Sequence, residues 1–330
     1  MRSGELSTKN DILAVLESER ARFVSGQELA EKLNISRTAV WKAVKSLEEG
    51  GHRIIAVTNN GYKLAPDSNL MSEEGVLANL SQKYKSCPIT VLDITDSTNT
   101  QAKKLALDGA GHGTLLLAEE QTAGRGRNGK SFFSPRGVGL YMSVILKPVL
   151  GMEEPQMITI AAAVAVCKAV EKLTDKKPRI KWVNDVYLDG KKVCGILTEA
   201  ATDFESGGIE SIIVGVGVDC ATKEDSLPQE LRGIVGTLGD DAISRNRLAA
   251  EILAGILDGF DTLGSGEIID AYRARSLMFG KDISFMRGSE RLNARVTGIS
   301  DSGGLLVRLT IGENIELQSG EVAILSLTNE

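Results

Sequence analysis

Residues 124–146 read GRGRNGKSFFSPRGVGLYMSVIL, and the architecture turns on whether a helix or a strand follows the glycines. Gly124, Gly129, Lys130 and Ser131 have the spacing of a phosphate-binding P-loop, while Gly124, Gly126 and Gly129 have that of a dinucleotide fingerprint. Both motifs need a helix opening at the last glycine, because its unpaired N–H groups and dipole hold the phosphates. Pro135, Gly137 and Gly139 forbid a helix there, and GLYMSVIL reads as a strand. Both patterns are excluded. What remains is a strand-to-strand loop. Its glycines let the backbone close over a ligand, and Arg125, Arg127 and Lys130 suit phosphate or carboxylate oxygens.

Working outward, PITVLDI predicts a strand, and Asp96-Ser97-Thr98-Asn99 caps a helix carrying Ala102, Leu105 and Ala106 on one side. TLLLAEEQ is the strand that enters the loop. Downstream, RIKWVNDVYLDGKKVCGILTE (179–199) predicts two strands joined at Asp189-Gly190. Lys181 lies between Ile180 and Trp182, where a lysine is either an edge-strand gatekeeper or a point charge aimed into a cleft. RNRLAAEILAGILDGF and EIIDAYRARS read as helices, and from Asp282 short strands predict a small β-barrel.

The N-terminal part has a different texture. NDILAVLESERA has Ile12, Leu13 and Leu16 at helical spacing. Ser25-Gly26-Gln27-Glu28 is a capping box opening a second helix, which runs to about Leu33. After a short turn at Asn34–Ile35, Ser36 caps a third helix, RTAVWKAVKSLEE, which Gly50 and Gly51 stop. HRIIAV and YKLA flank an Asn60-Gly61 hairpin. Three helices and a two-stranded wing make a winged helix-turn-helix, with the motif over residues 25–44. Ser36, Arg37, Thr38, Trp41, Lys42 and Lys45 form its outward face and are the candidate DNA contacts. A helical module for protein contacts has the same helices; the short turn and the polar outer face favour DNA. Pro66 and the weakly patterned charges after it predict a linker.

Composition sets limits on function. A chain of 330 residues, 42% hydrophobic, suffices for about two domains of ordinary size. Residues 1–66 carry 10 Lys/Arg against 8 Asp/Glu, while the remainder carries 28 against 36. Four cysteines without CxxC spacing and only two histidines suggest neither a zinc site nor a disulfide framework. They read as reduced structural thiols. No apolar segment follows the N-terminus as in a secretory signal. The longest apolar run, MITIAAAVAVC, falls short of the roughly 20 residues of a membrane span, so the expectation is a cytoplasmic soluble protein without membrane partners.

DSTN at 96–99, QTAGRGRNGKSFFSP at 121–135, KWVND at 181–185 and GKKVCGILTE at 190–199 together resemble biotin–[acetyl-CoA-carboxylase] ligases. With the winged helix in front, nearly the whole chain is similar to the bifunctional biotin protein ligase and biotin operon repressor family. The resemblance implies an α+β architecture. Its units would be a winged helix (1–66), a linker (67–86), a mixed-sheet biotin/lipoate-ligase-like catalytic domain (87–277) and an SH3-like β-barrel (278–330).

It also implies the site residues. Ser97, Thr98, Asn99, Gln121, Gly124, Gly126 and Gly195 would bind biotin together with Arg125, Arg127 and Lys181, the three residues expected to be catalytic. Arg125, Arg127, Lys130, Asn184 and Lys192 would bind the nucleotide. The expected reaction uses ATP with Mg²⁺ and biotin, passes through bound biotinyl-5′-AMP, and requires no metal held by protein ligands alone. The implied partners are a biotin carboxyl carrier protein, operator DNA and a second copy of the chain. Two departures stand out: the family commonly has Pro where Val183 stands and Asn where Asp219 stands. The competing readings are a winged-helix ligand sensor without ligase activity and a lipoate-type ligase.

Overall fold

A computed structural model describes residues 2–148, 155–202, 209–239 and 243–325. Helices α1 (Arg2–Ser18), α2 (Gly26–Leu33) and α3 (Arg37–Glu49) precede the hairpin of β1 (Ile54–Val57) and β2 (Gly61–Leu64). Both sequence-predicted caps form: Ser25 Oγ accepts the Glu28 N–H at 3.0 Å, and Ser36 Oγ accepts that of Ala39 at 3.1 Å. Asn34 makes the turn between α2 and α3 in the left-handed region, at φ 52°. Ile12, Leu16, Leu29, Val40, Val44 and Leu47 bury the inner faces of the three helices in one small core. In the hairpin, Val24 and Tyr62 exchange backbone hydrogen bonds of 2.8 Å. A Cβ at Gly61 would lie 2.2 Å from the Val24 carbonyl oxygen, so only glycine fits.

Residues 67–86 are held down. Helix α4 (Glu73–Asn79) packs against α1, and Met71, Val76, Leu80 and Tyr84 enter the main core.

That core lies against a seven-stranded sheet ordered β3-β4-β5-β9-β8-β7-β6. The strands are β3 (Ile89–Leu92), β4 (Thr114–Ala118), β5 (Gly139–Leu146), β6 (Arg179–Lys181), β7 (Asp185–Leu188), β8 (Lys191–Thr202) and β9 (Ile209–Asp219). Only β3 and β4 pair in parallel, joined by α5 (Thr98–Leu107); all other pairs are antiparallel. Strand β5 is paired on both sides and buried throughout, which explains why GLYMSVIL is apolar at successive positions apart from Ser143.

Alternation along the strands sorts the helices onto two faces. Leu116, Ile145 and Ile213 meet α5. Their neighbours Leu115, Leu117, Val144 and Val214 belong instead to the core of α6 (Pro155–Leu173), α7 (Arg245–Asp261) and α8 (Glu267–Arg275). Helices α6 and α7 approach closely because their seam is small: a Cβ at Gly255 would be 2.9 Å from that of Ala165. Among the described residues, no helix is long and apolar enough to cross a membrane.

The C-terminal strands are β10 (Asp282–Arg287), β11 (Glu290–Ile299), β12 (Leu305–Leu309), β13 (Asn314–Leu317) and β14 (Val322–Ile324). They form an antiparallel sheet ordered β13-β12-β11-β10-β14. Of the expected small barrel the structure shows this sheet without closure: β14 pairs with β10, but among the described residues no ladder joins it to β13. The sheet is docked on the central domain, where Trp182 Nε1 donates to the Gly303 carbonyl at 2.9 Å.

Where the units meet, Arg245 Nη1 lies 2.8 Å from Glu119 Oε2, with both side chains at most 4% exposed. Breaking a pair this deeply buried strands a charge, so Arg245→Ala is expected to destabilise the fold by about 3–5 kcal/mol. A urea titration read by tryptophan fluorescence checks it.

Candidate active site

Thr98 and Gln121 come from different elements and close one edge of a slot. The Thr98 N–H donates to Gln121 Oε1 at 2.8 Å, and the Thr98 hydroxyl donates to the same oxygen at 3.1 Å. Ser97 occupies the N-cap position of α5, but its side chain caps no N–H. Asp96 accepts the Ser97 N–H at 2.6 Å and Gln101 Nε2 at 2.7 Å, so the capping expected of the DSTN segment is shared by Asp96 and Gln121. Gln121 Nε2 in turn donates to Ser134 Oγ at 2.8 Å.

Asn99 faces the slot with its amide already engaged. Its Nδ2 donates to Glu199 Oε2 at 2.9 Å and to the Leu197 carbonyl at 3.2 Å. Its Oδ1 accepts from Ser143 Oγ at 2.6 Å. With both amide hydrogens taken, Asn99 braces the wall.

The floor is bare of side chains at two positions of β9. A Cβ at Gly215 would stand 2.1 Å from Asn99 Oδ1, and one at Gly217 would stand 2.5 Å from the Phe132 ring. Glycine at both positions lets Asn99 and Phe132 lie directly on β9.

The slot, about 60 Å³, opens into an outer chamber of about 360 Å³; Gly126, Arg127, Phe132, Asn184 and Lys192 line both. Ser97, Thr98, Asn99, Gln121, Arg125 and Gly195 belong to the slot alone. Lys130 and Lys181 belong to the chamber. Gly124 is on neither wall. A Cβ there would lie 2.3 Å from the Phe132 carbonyl oxygen, so it serves the close approach of the loop's two arms.

Every loop cation has an assigned partner. Arg125 Nη2 lies 3.4 Å from Glu199 Oε1, Arg127 Nη1 donates to Asn184 Oδ1 at 3.0 Å, and Lys130 Nζ donates to Glu321 Oε2 at 2.8 Å. Lys192 pairs with Asp185 at 2.7 Å. Lys181 lies on β6, the sheet edge, and also lines the chamber, so the two roles weighed from sequence coincide in position. Burial pulls its ammonium below the ordinary lysine range, against the opposing charge of Asp185. Burial works to raise Glu199, but hydrogen bonds from Lys103 and Asn99 win and hold its carboxyl below the usual value.

Sequence reasoning did not single out Glu199, Ser143, Phe132 or Glu321. Ser143 had a signal: it is the one small polar side chain in the middle of an apolar strand, and its hydroxyl demands a polar partner. Glu199 closes the quoted GKKVCGILTE segment, yet only the fold brings it to Asn99 and Arg125.

On the winged helix, Arg37, Thr38 and Trp41 line a cleft against the wing. Ser36 serves as the α3 cap, Lys42 is exposed, and Lys45 is exposed but donates to Glu48 at 2.8 Å.

The arrangement joins a narrow polar-edged slot to a cationic chamber under a glycine loop. The model of the Biotin/lipoate A/B protein ligase family matches residues 91–219, and that of an HTH domain matches residues 8–63. The bifunctional ligase/repressor BirA of Bacillus spizizenii is 31% identical over 311 residues, covering 92% of this chain and 95% of that protein. Its Escherichia coli namesake is 29% identical over 313 residues, covering 91% and 94%. Among solved structures, the biotin protein ligase from Aquifex aeolicus in complex with biotin and ATP superposes with a TM-score of 0.62 at 28% identity. That match covers 72% of this chain and 97% of the other. The chain belongs to the bifunctional ligase/repressor branch of the biotin/lipoate protein ligase family.

Asp219 ends β9 in the chamber wall, 5% exposed, where burial pushes its carboxyl up to about 7 against the Thr222 hydrogen bond and the nearby charge of Lys192. A raised carboxyl binds its proton more tightly in the folded state. Stability is therefore highest below the unfolded value of about 3.9 and falls as pH rises to about 7, by at most about 1.4 kcal/mol per pH unit. Asp219→Asn is expected to match the parent near pH 4 and to exceed it above pH 7, in urea melts across that window.

Proposed function

We propose that this chain is an ATP-dependent biotin protein ligase and a transcriptional repressor of biotin genes, with biotinyl-5′-AMP as corepressor. The observation that carries the ligase reading is the continuity of two sites. The Thr98–Gln121 slot runs into a chamber ringed by Arg127, Lys130, Lys181 and Lys192. A small acid in the slot would direct its carboxylate toward these cations, where the phosphates of ATP would also lie.

In the first step the biotin carboxylate oxygen attacks the α-phosphorus of ATP, forming the mixed anhydride and releasing diphosphate. Arg125, Arg127 and Lys181 would stabilise the charge that develops on the transferring phosphoryl group. ATP would enter as its magnesium complex, the metal adding to the charge neutralisation that the cations supply. In the second step the unprotonated amine of a lysine on a carboxyl carrier domain attacks the acyl carbon, and AMP leaves. Neither step needs an enzyme nucleophile. The loop from Gly124 to Phe132 would exclude water from the anhydride.

Ser97, Thr98, Asn99, Gln121, Gly126 and Gly195, with Arg125, Arg127 and Lys181, are read as the biotin site, Gly124 shaping the loop beside it; Arg125, Arg127, Lys130, Asn184 and Lys192 are read as the nucleotide site, and Ser36 to Lys45 as the DNA face. The units run 1–66, 67–86, 87–277 and 278–330, the last an SH3-like module. The protein acts in the cytoplasm on a carboxyl carrier protein.

Incubation with ATP, Mg²⁺ and either biotin or lipoate, followed by mass analysis, tests the activity. Biotinyl-adenylate and label transfer to a carrier domain are expected; lipoyl-adenylate alone, or no adduct, would overturn the reading. Lys181→Ala should lower kcat for diphosphate release by about 10²–10³-fold with an unchanged thermal melt. Near-normal turnover in a folded variant would leave Lys181 as an edge-strand charge.

The recognition face from Arg37 to Lys45 is short for a unique genomic site, so two copies on a palindrome are proposed to bind together. Sedimentation and operator titration should show that biotin plus ATP strengthens both dimerisation and DNA binding, as linkage requires. A ligand effect on neither would refute the repressor half.

A further inference from the structure

Trp41 is placed where packing does not ask for an indole. Val40, Ala43, Val44 and Leu47 seat α3 on the small N-terminal core, whereas Trp41 points away and is 54% exposed. It is not alone: on the adjoining wing, Val57 is 44% and Ile55 39% exposed. Trp41 from α3 and Val57 from the wing line the same cleft, about 740 Å³, whose polar lining includes Arg37, Thr38, Gln27 and Asn59. No acidic side chain lines the cleft among the described residues, although the chain as a whole is net acidic at −6.

Along α3, Arg37, Trp41 and Lys45 recur every four residues and form one row, with Thr38 and Lys42 beside it. Lys45 is drawn toward Glu48 at the far end. Arg37 and Lys42 supply the cations that a phosphate backbone attracts. The indole is the residue of the row that electrostatics cannot account for.

The chemistry of the duplex narrows what it could meet. Each base pair shows the major groove polar donors and acceptors, and the one apolar group there is the C5-methyl of thymine. A flat, exposed ring in the first half of a recognition helix, where base edges are contacted, complements that methyl. We propose that Trp41 is a specificity-determining residue that selects thymine at one position of each half-site through apolar contact with its methyl group, with Val57 closing the cleft behind it. This deepens the repressor reading and rests on it.

The test changes one methyl at a time. Selection from random duplexes with the full chain, biotin and MgATP yields a preferred site. Each thymine in that site is then replaced singly by deoxyuridine, which keeps the pairing edge and O4 and removes only the methyl. Affinities are measured for the parent, Trp41→Ala and Trp41→Phe, and a thermal melt followed by far-ultraviolet circular dichroism confirms that the winged unit of each variant is folded.

One thymine per half-site is expected to cost the parent about fourfold to tenfold when replaced by deoxyuridine. Trp41→Ala should lose a similar factor on the natural site and show no further loss with deoxyuridine, while Trp41→Phe keeps part of the discrimination. A methyl effect that persists undiminished in Trp41→Ala, or no methyl effect at any position, overturns the role of Trp41 and leaves the repressor reading standing. Failure to enrich any sequence overturns both. Loss of self-association in Trp41→Ala, without loss of methyl discrimination, would assign the indole to a protein contact and also overturn the proposal.

Discussion

The Arg245–Glu119 pair is the point on which the separate units bear. Glu119 follows β4 and stands two residues before Gln121, at the entrance to the glycine loop. Its Oε1 also accepts the Met71 N–H at 2.8 Å, which fastens the segment after the winged helix. Arg245 donates to the Asn69 carbonyl at 2.5 and 3.0 Å and to that of Gly139, the first residue of β5, at 3.0 Å. The next residue, Asn246, donates to Glu17 of α1 at 3.0 Å and accepts the Ser72 N–H at the same distance. Such a pair repays the cost of burial only when its remaining donors and acceptors are satisfied, and here they are. Removing one member disturbs four segments at once.

From that junction the site is built by subtraction as much as by addition. Gly215 and Gly217 leave a bare stretch of β9, onto which Asn99 and Phe132 descend. Ser143 lies 2.7 Å from Thr98 Oγ1 and 2.6 Å from Asn99 Oδ1, and has one proton for two acceptors. Buried networks of this kind fix orientation because each alternative leaves a polar atom unpaired. The position of the slot follows from the register of β5 against β9, which sets Ser143 opposite Gly215. A slip by one residue would send Ser143 to the helical core and an apolar side chain to the slot.

This dependence on register explains what the sequence could and could not tell. The helices of the winged unit, their caps at Ser25 and Ser36, and the Asp189-Gly190 turn are local, and each was legible from a few adjacent residues. The absence of a helix after Gly129 was legible for the same reason. Barrel closure was not, because it depends on whether β14, beyond its pairing with β10, also pairs with β13, and strand patterning is identical in the two cases. Nor was Glu199: 74 residues separate it from Arg125, and no local pattern relates the two. The loop cations were legible as cations, but their resting partners belong to the tertiary structure.

Those resting partners bear on how a ligand could act at a distance. Glu199 is on β8, Asn184 lies between β6 and β7, and Glu321 precedes β14 in the C-terminal sheet. The glycine loop is thus tied by its three cations to three separate places. An anionic ligand entering beneath the loop meets guanidinium and ammonium groups that already have partners, so binding exchanges contacts. The net gain from each contact is smaller than for a bare charge, because the displaced carboxylate or amide must find water or another donor. What the exchange offers is leverage. Drawing Arg127 from Asn184, or Lys130 from Glu321, alters the seat of the loop on the central sheet and on the C-terminal sheet together. A ligand shifts a conformational equilibrium only by its difference in affinity for the two states. Cations with defined partners are how such a difference can arise, since each contact given up in one arrangement must be replaced in the other.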